Sequence, residues 1–454
     1  MCLRKNIIIA FVGISAYILF SLTGYAKLNI YNSTILIEPK VNITNFGGKG
    51  DNIFDNTVSI KNAIVFLAQK GGGTLYFPKG KYKTTSFIIP SNIKLVGDGS
   101  SSELINITSS ENHFIAIRGN NVEIESLFLN GNRKNRINGK DAMEGSTISI
   151  ATDAPDNFYN RTYNVRIRKC RITTNGFDAI GVWNSNDVTI EDNYCLSGRD
   201  SGIDIVEGSY NIIIKNNVIY NNDDGCLFLI ALDSFQIAKY GLVRNVEIFN
   251  NVIYNRSKAL IPTTSIFSIE SCENVSVENN RIFNSGEGTG IKIFQDANNI
   301  IVKKNKIEVS SLKNHNAAIE VNNQNSKTKV YKKITISDNI LKGVRNVSSN
   351  GVNIYMSNAD VNNNTIENLN SGIYVNTGGV WQSLINIENN VINECNISIE
   401  LAGDFYDKTD INLQFNKTSS YKKYNYAISS GYNIFNSNNP ITGRNYLNKV
   451  SWKK

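Results

Sequence analysis

Four aspartates, Asp200, Asp204, Asp223 and Asp224, are the residues whose type and spacing point most directly to chemistry. They sit in Arg199-Asp-Ser-Gly-Ile-Asp204 and then in Asn222-Asp-Asp-Gly-Cys226, so acid–glycine turns open two segments of similar pattern. If those segments are stacked strands, equivalent residues lie about 4.8 Å apart. Offsets of a residue or two then bring carboxyl groups to the separations of about 5 Å or about 6.5–9.5 Å that glycosidases use. Like charges this close push at least one pKa up and leave a protonated acid beside an ionised base. On this reading Asp224 gives its proton to a leaving glycosidic oxygen, Asp204 or Asp223 orients water, and Asp200 tunes their ionisation. Lys292 and Arg199 supply cations for a carboxylate on the sugar. Asp178, in an equivalent turn, and Trp183, at an outward position, line the binding wall, although the indole is equally suited to core packing. Each Asx-Gly pair also has a bland explanation as an ordinary bend.

What must position these residues is a repeat. Apolar pairs with one residue between them recur at Val122/Ile124, Val165/Ile167, Val188/Ile190, Ile212/Ile214, Val246/Ile248, Val275/Val277, Ile300/Val302, Ile334/Ile336, Ile385/Ile387 and Ile411/Leu413. A few residues after most of them comes an asparagine: Asn193, Asn217, Asn251, Asn280, Asn305, Asn339, Asn364 or Asn390, at spacings of 24, 34, 29, 25, 34, 25 and 26. Strict alternation buries one face of a strand and wets the other. A period near twenty-five with occasional insertions is a coil with variable loops. The expected fold is all-β: a right-handed parallel β-helix, three short strands to a coil, each coil stacked on the last. The recurrent asparagines fit an internal ladder at a turn, tolerant of left-handed geometry. Outward residues of Gly/Ala-Ile-x-Ile form a column of Asp204, Lys292, Glu320, Asn353 and Tyr374.

The chain divides accordingly. Arg4 and Lys5 precede an apolar run from Ile7 to Leu22, and Gly24-Tyr-Ala26 offers a cleavage site, so residues 1–26 read as a signal peptide or, uncleaved, a membrane anchor. The expected location is secreted or periplasmic. Residues 27–86 form a lead-in and a capping helix. The helix runs over Val58–Lys70, capped by Asp55 or Asn56, with Ile60, Ile64 and Leu67 on one face. Coils follow over 87–401, with a long insertion between Asn130 and Thr162, and residues 402–454 lose the register and make a C-terminal cap.

The stretch Phe46-Gly-Gly-Lys-Gly-Asp51, the helix, and Gly72-Gly-Thr-Leu-Tyr-Phe-Pro-Lys-Gly-Lys-Tyr82 resembles the N-terminal signature of the pectate-lyase-like β-helix superfamily. That superfamily includes tailspike depolymerases, polygalacturonases and alginate epimerases. The resemblance implies a helix that plugs the first coil, with Asp51 and Asp55 in structural roles. The aspartate stretch is similar to the polygalacturonase pattern Asn-Thr-Asp-Gly-Ile-Asp … Gly-Asp-Asp-Cys, which implies that Asp223 and Asp224 are the paired acid and base. Gly290-Ile-Lys292-Ile is similar to that family's substrate-binding segment. Ser201 stands where the family has an aspartate, Gly225 is inserted, and neither His113 nor His315 is near in sequence.

Composition narrows the partners. A net charge of +8 over 454 residues suits an acidic polymer. Clusters such as Lys303, Lys304 and Lys306, or Lys329, Lys332 and Lys333, have the plainer reading of solvated loops, and no nucleic-acid motif accompanies them. Cys170, Cys195, Cys226, Cys272 and Cys395 sit on separate coils and read as buried, unpaired small hydrophobes. No metal pattern is present. The expected function is a glycoside hydrolase on an acidic polysaccharide, needing no cofactor. The alternatives are a lyase or uronate epimerase, for which the aspartates would hold Ca²⁺, and a non-catalytic polysaccharide-binding adhesin. A homotrimer of the tailspike kind is compatible with all three.

Overall fold

The computed structural model describes residues 39–108, 113–133, 145–151, 161–174, 176–196, 201–220, 226–230, 237, 239–255, 265–284, 288–310, 316–322, 333–344, 348–376, 383–402, 409–419, 423–428, 433–435, 445–447 and 451–453. Period-two alternation gives the expected right-handed parallel β-helix. In one coil Ile180–Trp183 belongs to a 14-stranded sheet, while Ser185–Glu191 and Tyr194–Leu196 belong to a larger, 28-stranded one. The next coil repeats this in register, with Ile180 opposite Ile203, Val188 opposite Ile212 and Cys195 opposite Ile219. The alternation is what makes stacking favourable. Ile203, Ile205, Ile212, Ile214 and Ile219 all turn inward and have no exposed surface, each covered by its counterpart on the next rung. The five described cysteines are buried, as their strand positions predict, and none is in a disulfide.

The asparagine ladder is present and has no breaks between Asn193 and Asn390. Each Nδ2 donates to the Oδ1 of the asparagine one coil on, at 2.9–3.1 Å, and the ladder runs on to Asn416. The same Oδ1 also accepts the backbone N–H of the preceding rung's asparagine, as Asn251 does from Asn217. The left-handed geometry, however, belongs to the residue before each ladder member: Asp192, Asn216, Asn250, Asn279, Lys304, Asp338, Asn363 and Asn389 have φ of 54–59°. Splitting the two tasks lets the buried amide keep an ordinary backbone while its exposed neighbour makes the bend.

The capping helix spans Thr57–Gln69 and buries Ile60, Ala63, Ile64 and Leu67. Asp55 Oδ1 accepts the Thr57 N–H at 2.9 Å, whereas the Asn56 side chain ties Lys49, Phe54 and Lys83 together instead of capping. At Gly73 (φ 143°) a Cβ would lie 2.3 Å from Pro39 O and 2.8 Å from Leu67, so the chain leaves the helix through a residue without a side chain.

Three expected boundaries shift. The stack begins before residue 87, because Lys40–Asn42 pairs with Gly73–Phe77 and that strand pairs with Ile93 onward. The insertion between Asn130 and Thr162 contains a rung of its own, Ile148–Ile150, between Ile115–Ile117 and Ile180–Trp183. Past residue 401 the register persists: Ile411 lies opposite Ile385 and Ile428 opposite Leu401. The sequence pattern weakens there because polar residues replace isoleucine, not because pairing stops.

Candidate functional site

On the 14-stranded sheet two parallel rows of positions alternate with those of the core. Register fixes the first row as Gly181, Asp204, Phe228, Ser268, Lys292, Glu320, Asn353, Tyr374 and Glu400. The second row, two residues further along each strand, is Trp183, Val206, Ile230, Glu270, Phe294, Asn322, Tyr355, Asn376 and Ala402. The expected column from Asp204 to Tyr374 is therefore real, and it extends to Glu400.

Of the expected site residues, Asp204 is on this face and nearly buried, at 8% exposure. Arg199, Asp200, Asp223 and Asp224 lie outside the described residues, as do His315, Lys329 and Lys332. Lys292 is not beside Asp204. Three register steps separate them, roughly 14 Å at about 4.8 Å per rung, so Lys292 does not share a sugar residue with that aspartate. Asp178 has no exposed surface and does not line a wall. Its carboxylate accepts from Ser146 Oγ at 3.0 Å and from the Ser201 N–H at 3.3 Å, which fastens turns on three coils together. Trp183 is half-buried and lies across Gly181, where a Cβ would come within 2.0 Å of the indole. Its ring centroid is 5.5 Å from that of His113. Distance in sequence misleads here, because His113 and Asp178 are connected through Ser146, whose N–H donates to His113 Nδ1 at 3.0 Å. Burial, helped by Arg118, pushes the imidazole down to about 4, so it is neutral above that pH.

The strongest titratable grouping lies further along the same face. Lys292 Nζ is 3.9 Å from Glu320 Oε1 and 5.0 Å from the centre of the Phe294 ring. Glu270, one rung back in the second row, is half-buried and accepts a hydrogen bond from Gln295 Nε2. Burial pushes its carboxyl up to about 7, against the pull of Lys292 and of the Gln295 bond. A carboxyl that exchanges its proton near neutrality thus stands on one side of the ammonium, and a second carboxylate on the other. Beyond them, Asn353 Nδ2 donates to Tyr355 Oη at 3.4 Å and Asn376 Nδ2 to Tyr374 Oη at 3.3 Å. Ser371 Oγ orients Glu400. Burial, with Glu320, Tyr374 and Glu400 adding to it, pushes the Tyr355 hydroxyl well above the usual phenol range and keeps it protonated.

Glu270, Tyr355 and Glu400 escaped sequence reasoning. For the first two only the alternation offered a signal, since they stand two residues after the outward Ser268 and Asn353 of Phe267-Ser-Ile269 and Val352-Asn-Ile354. Glu400 sits in Ser398-Ile-Glu-Leu, which lacks the glycine or alanine of the template. Among the described residues no group of three or more His, Cys, Asp and Glu is placed to hold a metal ion. An open groove of about 640 Å³ lies elsewhere, on the larger sheet, over Asn164, Asp187, Asn211, Asn245, Asn274 and Asn299. Asp187, Asn211, Asn245, Asn274 and Asn299 are hydrogen-bonded to one another from coil to coil, and Asn164 donates to Asn121, so the groove reads as an exposed structural ladder.

A family model described as rhamnogalacturonase A/epimerase, pectate lyase-like, matches residues 40–230. The tailspike gp61 of Pseudomonas phage phi297 superposes with a TM-score of 0.58 at 10% identity, over 83% of this chain and 80% of that one. The superposition shows the fold, a parallel β-helix, and the family match covers its first part. Mannuronan C5-epimerase AlgE5 of Azotobacter vinelandii is 26% identical over 236 residues, covering 44% of this chain and 24% of the epimerase. Alginate lyase 7 of the same organism is 27% identical over 198 residues, covering 40% and 22%. The chain spans about a quarter of the length of those curated relatives. The family match stops at residue 230 and so leaves out Glu270, Lys292 and Glu320.

Proposed function

We propose that this chain is an exported enzyme that hydrolyses an acidic polysaccharide laid along the outer face of the 14-stranded sheet. The observation that carries the reading is Lys292 held between Glu270, with its carboxyl raised to about 7, and Glu320 at 3.9 Å. Two carboxyl groups in unlike environments are the requirement for glycoside cleavage. Glu270 gives its proton to the glycosidic oxygen as the C–O bond breaks. Glu320 takes a proton from the water that forms the new bond, and Lys292 grips a carboxylate on the sugar. Export rests on the basic residues Arg4 and Lys5 followed by the apolar run from Ile7 to Leu22.

A second reading is favoured by the resemblance to proteins named as a mannuronan C5-epimerase and an alginate lyase. Ionised Glu270 would then remove the proton next to the sugar carboxylate, whose charge Lys292 offsets. Incubating the whole protein with a panel of acidic polysaccharides separates the readings. New reducing ends without a gain in ultraviolet absorbance mark hydrolysis, whereas a gain marks elimination. If Asp223→Asn and Asp224→Asn abolish turnover while Glu270→Gln leaves it intact, the centre lies at the aspartates and this assignment falls.

A further inference from the structure

Resting on the reading above, we infer that the substrate is a heteropolysaccharide in which one uronate is followed by uncharged or amino sugars, and not a homopolymer of uronic acid. The argument is the distribution of charge along the face. From Gly181/Trp183 to Glu400/Ala402 the two outward rows contain Asp204, Glu270, Glu320 and Glu400, and Lys292 is their one cation. The chain as a whole carries +8, so this strip is acidic on a basic protein.

A pyranose is about as long as a rung is high, roughly 4.8 Å, so consecutive sugars meet consecutive rungs. A carboxylate at Lys292 is matched. A carboxylate on the second sugar would meet Glu320, and those on the third, fourth and fifth would meet the rungs of Tyr355, Tyr374 and Glu400, where these rows carry no cation. Like charges placed face to face select against such a ligand.

The same rungs are equipped for something else. Tyr355 and Tyr374 each accept an amide hydrogen at Oη, from Asn353 and Asn376, which directs their own protons elsewhere. Glu400 is fixed by Ser371 and, like Glu320, presents acceptor oxygens. Phenolic donors alternating with carboxylate acceptors suit the hydroxyl, acetamido or ammonium groups of neutral and amino sugars.

The test is binding of the full-length protein to polymannuronate and polygalacturonate, as homopolymers, against hyaluronan and heparosan, which alternate uronate with N-acetylhexosamine. Isothermal titration at fixed ionic strength should give at least tenfold tighter binding of an alternating polymer. Glu320→Gln, on the rung that meets the second sugar, should tighten the homopolymers severalfold and narrow that ratio. Lys292→Met should weaken every uronate polymer about tenfold or more, as loss of a charge-assisted contact does. Equal or tighter binding of the homopolymers, or an unchanged ratio in Glu320→Gln, overturns the heteropolymer inference and leaves the proposed function standing. Failure of every uronate polymer to bind, with no effect of Lys292→Met, sinks both. Thermal unfolding of each variant establishes that the fold is intact.

Discussion

The buried asparagine ladder and the outer face of the 14-stranded sheet are built on the same coil repeat and use it in opposite ways. Along the ladder each rung carries the same residue, and each amide bonds to the next, from Asn193 to Asn416. Along the face each rung differs: Asp204, Ser268, Lys292, Glu320, Asn353, Tyr374 and Glu400 follow one another within a few coils. Repetition is how a solenoid satisfies its backbone and core, since each coil meets only its neighbours. Change from rung to rung serves no such need, so it is where information about a ligand is held.

Breaking the two regions separately should give different signatures. The largest effect is expected from Glu270→Gln, which removes the proposed proton donor while keeping shape. Turnover should fall by about 10²–10⁴-fold, the usual contribution of a positioned acid or base, with little change in unfolding temperature. Asn280→Ala should do the reverse. It deprives Asn251 and Asn305 of their bonds and should cost about 1–3 kcal/mol in denaturant unfolding, with activity per folded molecule preserved.

Titration sharpens the contrast further. His113 is lowered to about 4 in the folded protein, so its stabilising contribution is whole above the ordinary histidine pKa of about 6.5 and is lost as pH falls toward 4. Glu270 is raised to about 7. The folded state keeps a proton that the unfolded chain has released, and stability from this group declines as pH rises from the ordinary glutamate value of about 4.3. Between about pH 4 and 7, His113→Gln should therefore remove a rise of stability with pH and Glu270→Gln a fall. The smallest effect is expected from Lys303→Ala. It breaks a partly exposed pair with Glu278 at 2.9 Å and should change stability by about 0–1 kcal/mol.

The fold was legible because its cause is periodic. Isoleucine and valine at every second position, with asparagine at each third turn, specify burial and bonding whatever the loops contain. The exceptions follow from the same physics. Ile148–Ile150 was hidden by two long flanking segments, and the later rungs by the loss of isoleucine, yet both pair in register. The site was less legible because its members are joined by stacking and not by sequence. His113 meets Trp183 across a gap of seventy residues, and Glu270 reaches Lys292 only through adjacent rungs. Asp178 looked like the other turn acids, but full burial between Ser146 and Ser201 gives it a fastening role.

The uniform register has one more consequence. Since Asn280 and Asn305 join their coils by the same bonds as any other pair, a whole turn can be duplicated or deleted there without redesigning the junction. Such an event would move Lys292 toward or away from the residues on the far side by a fixed increment and leave both ends intact. The distance between any two positions on the face is thereby set by a whole number of coils.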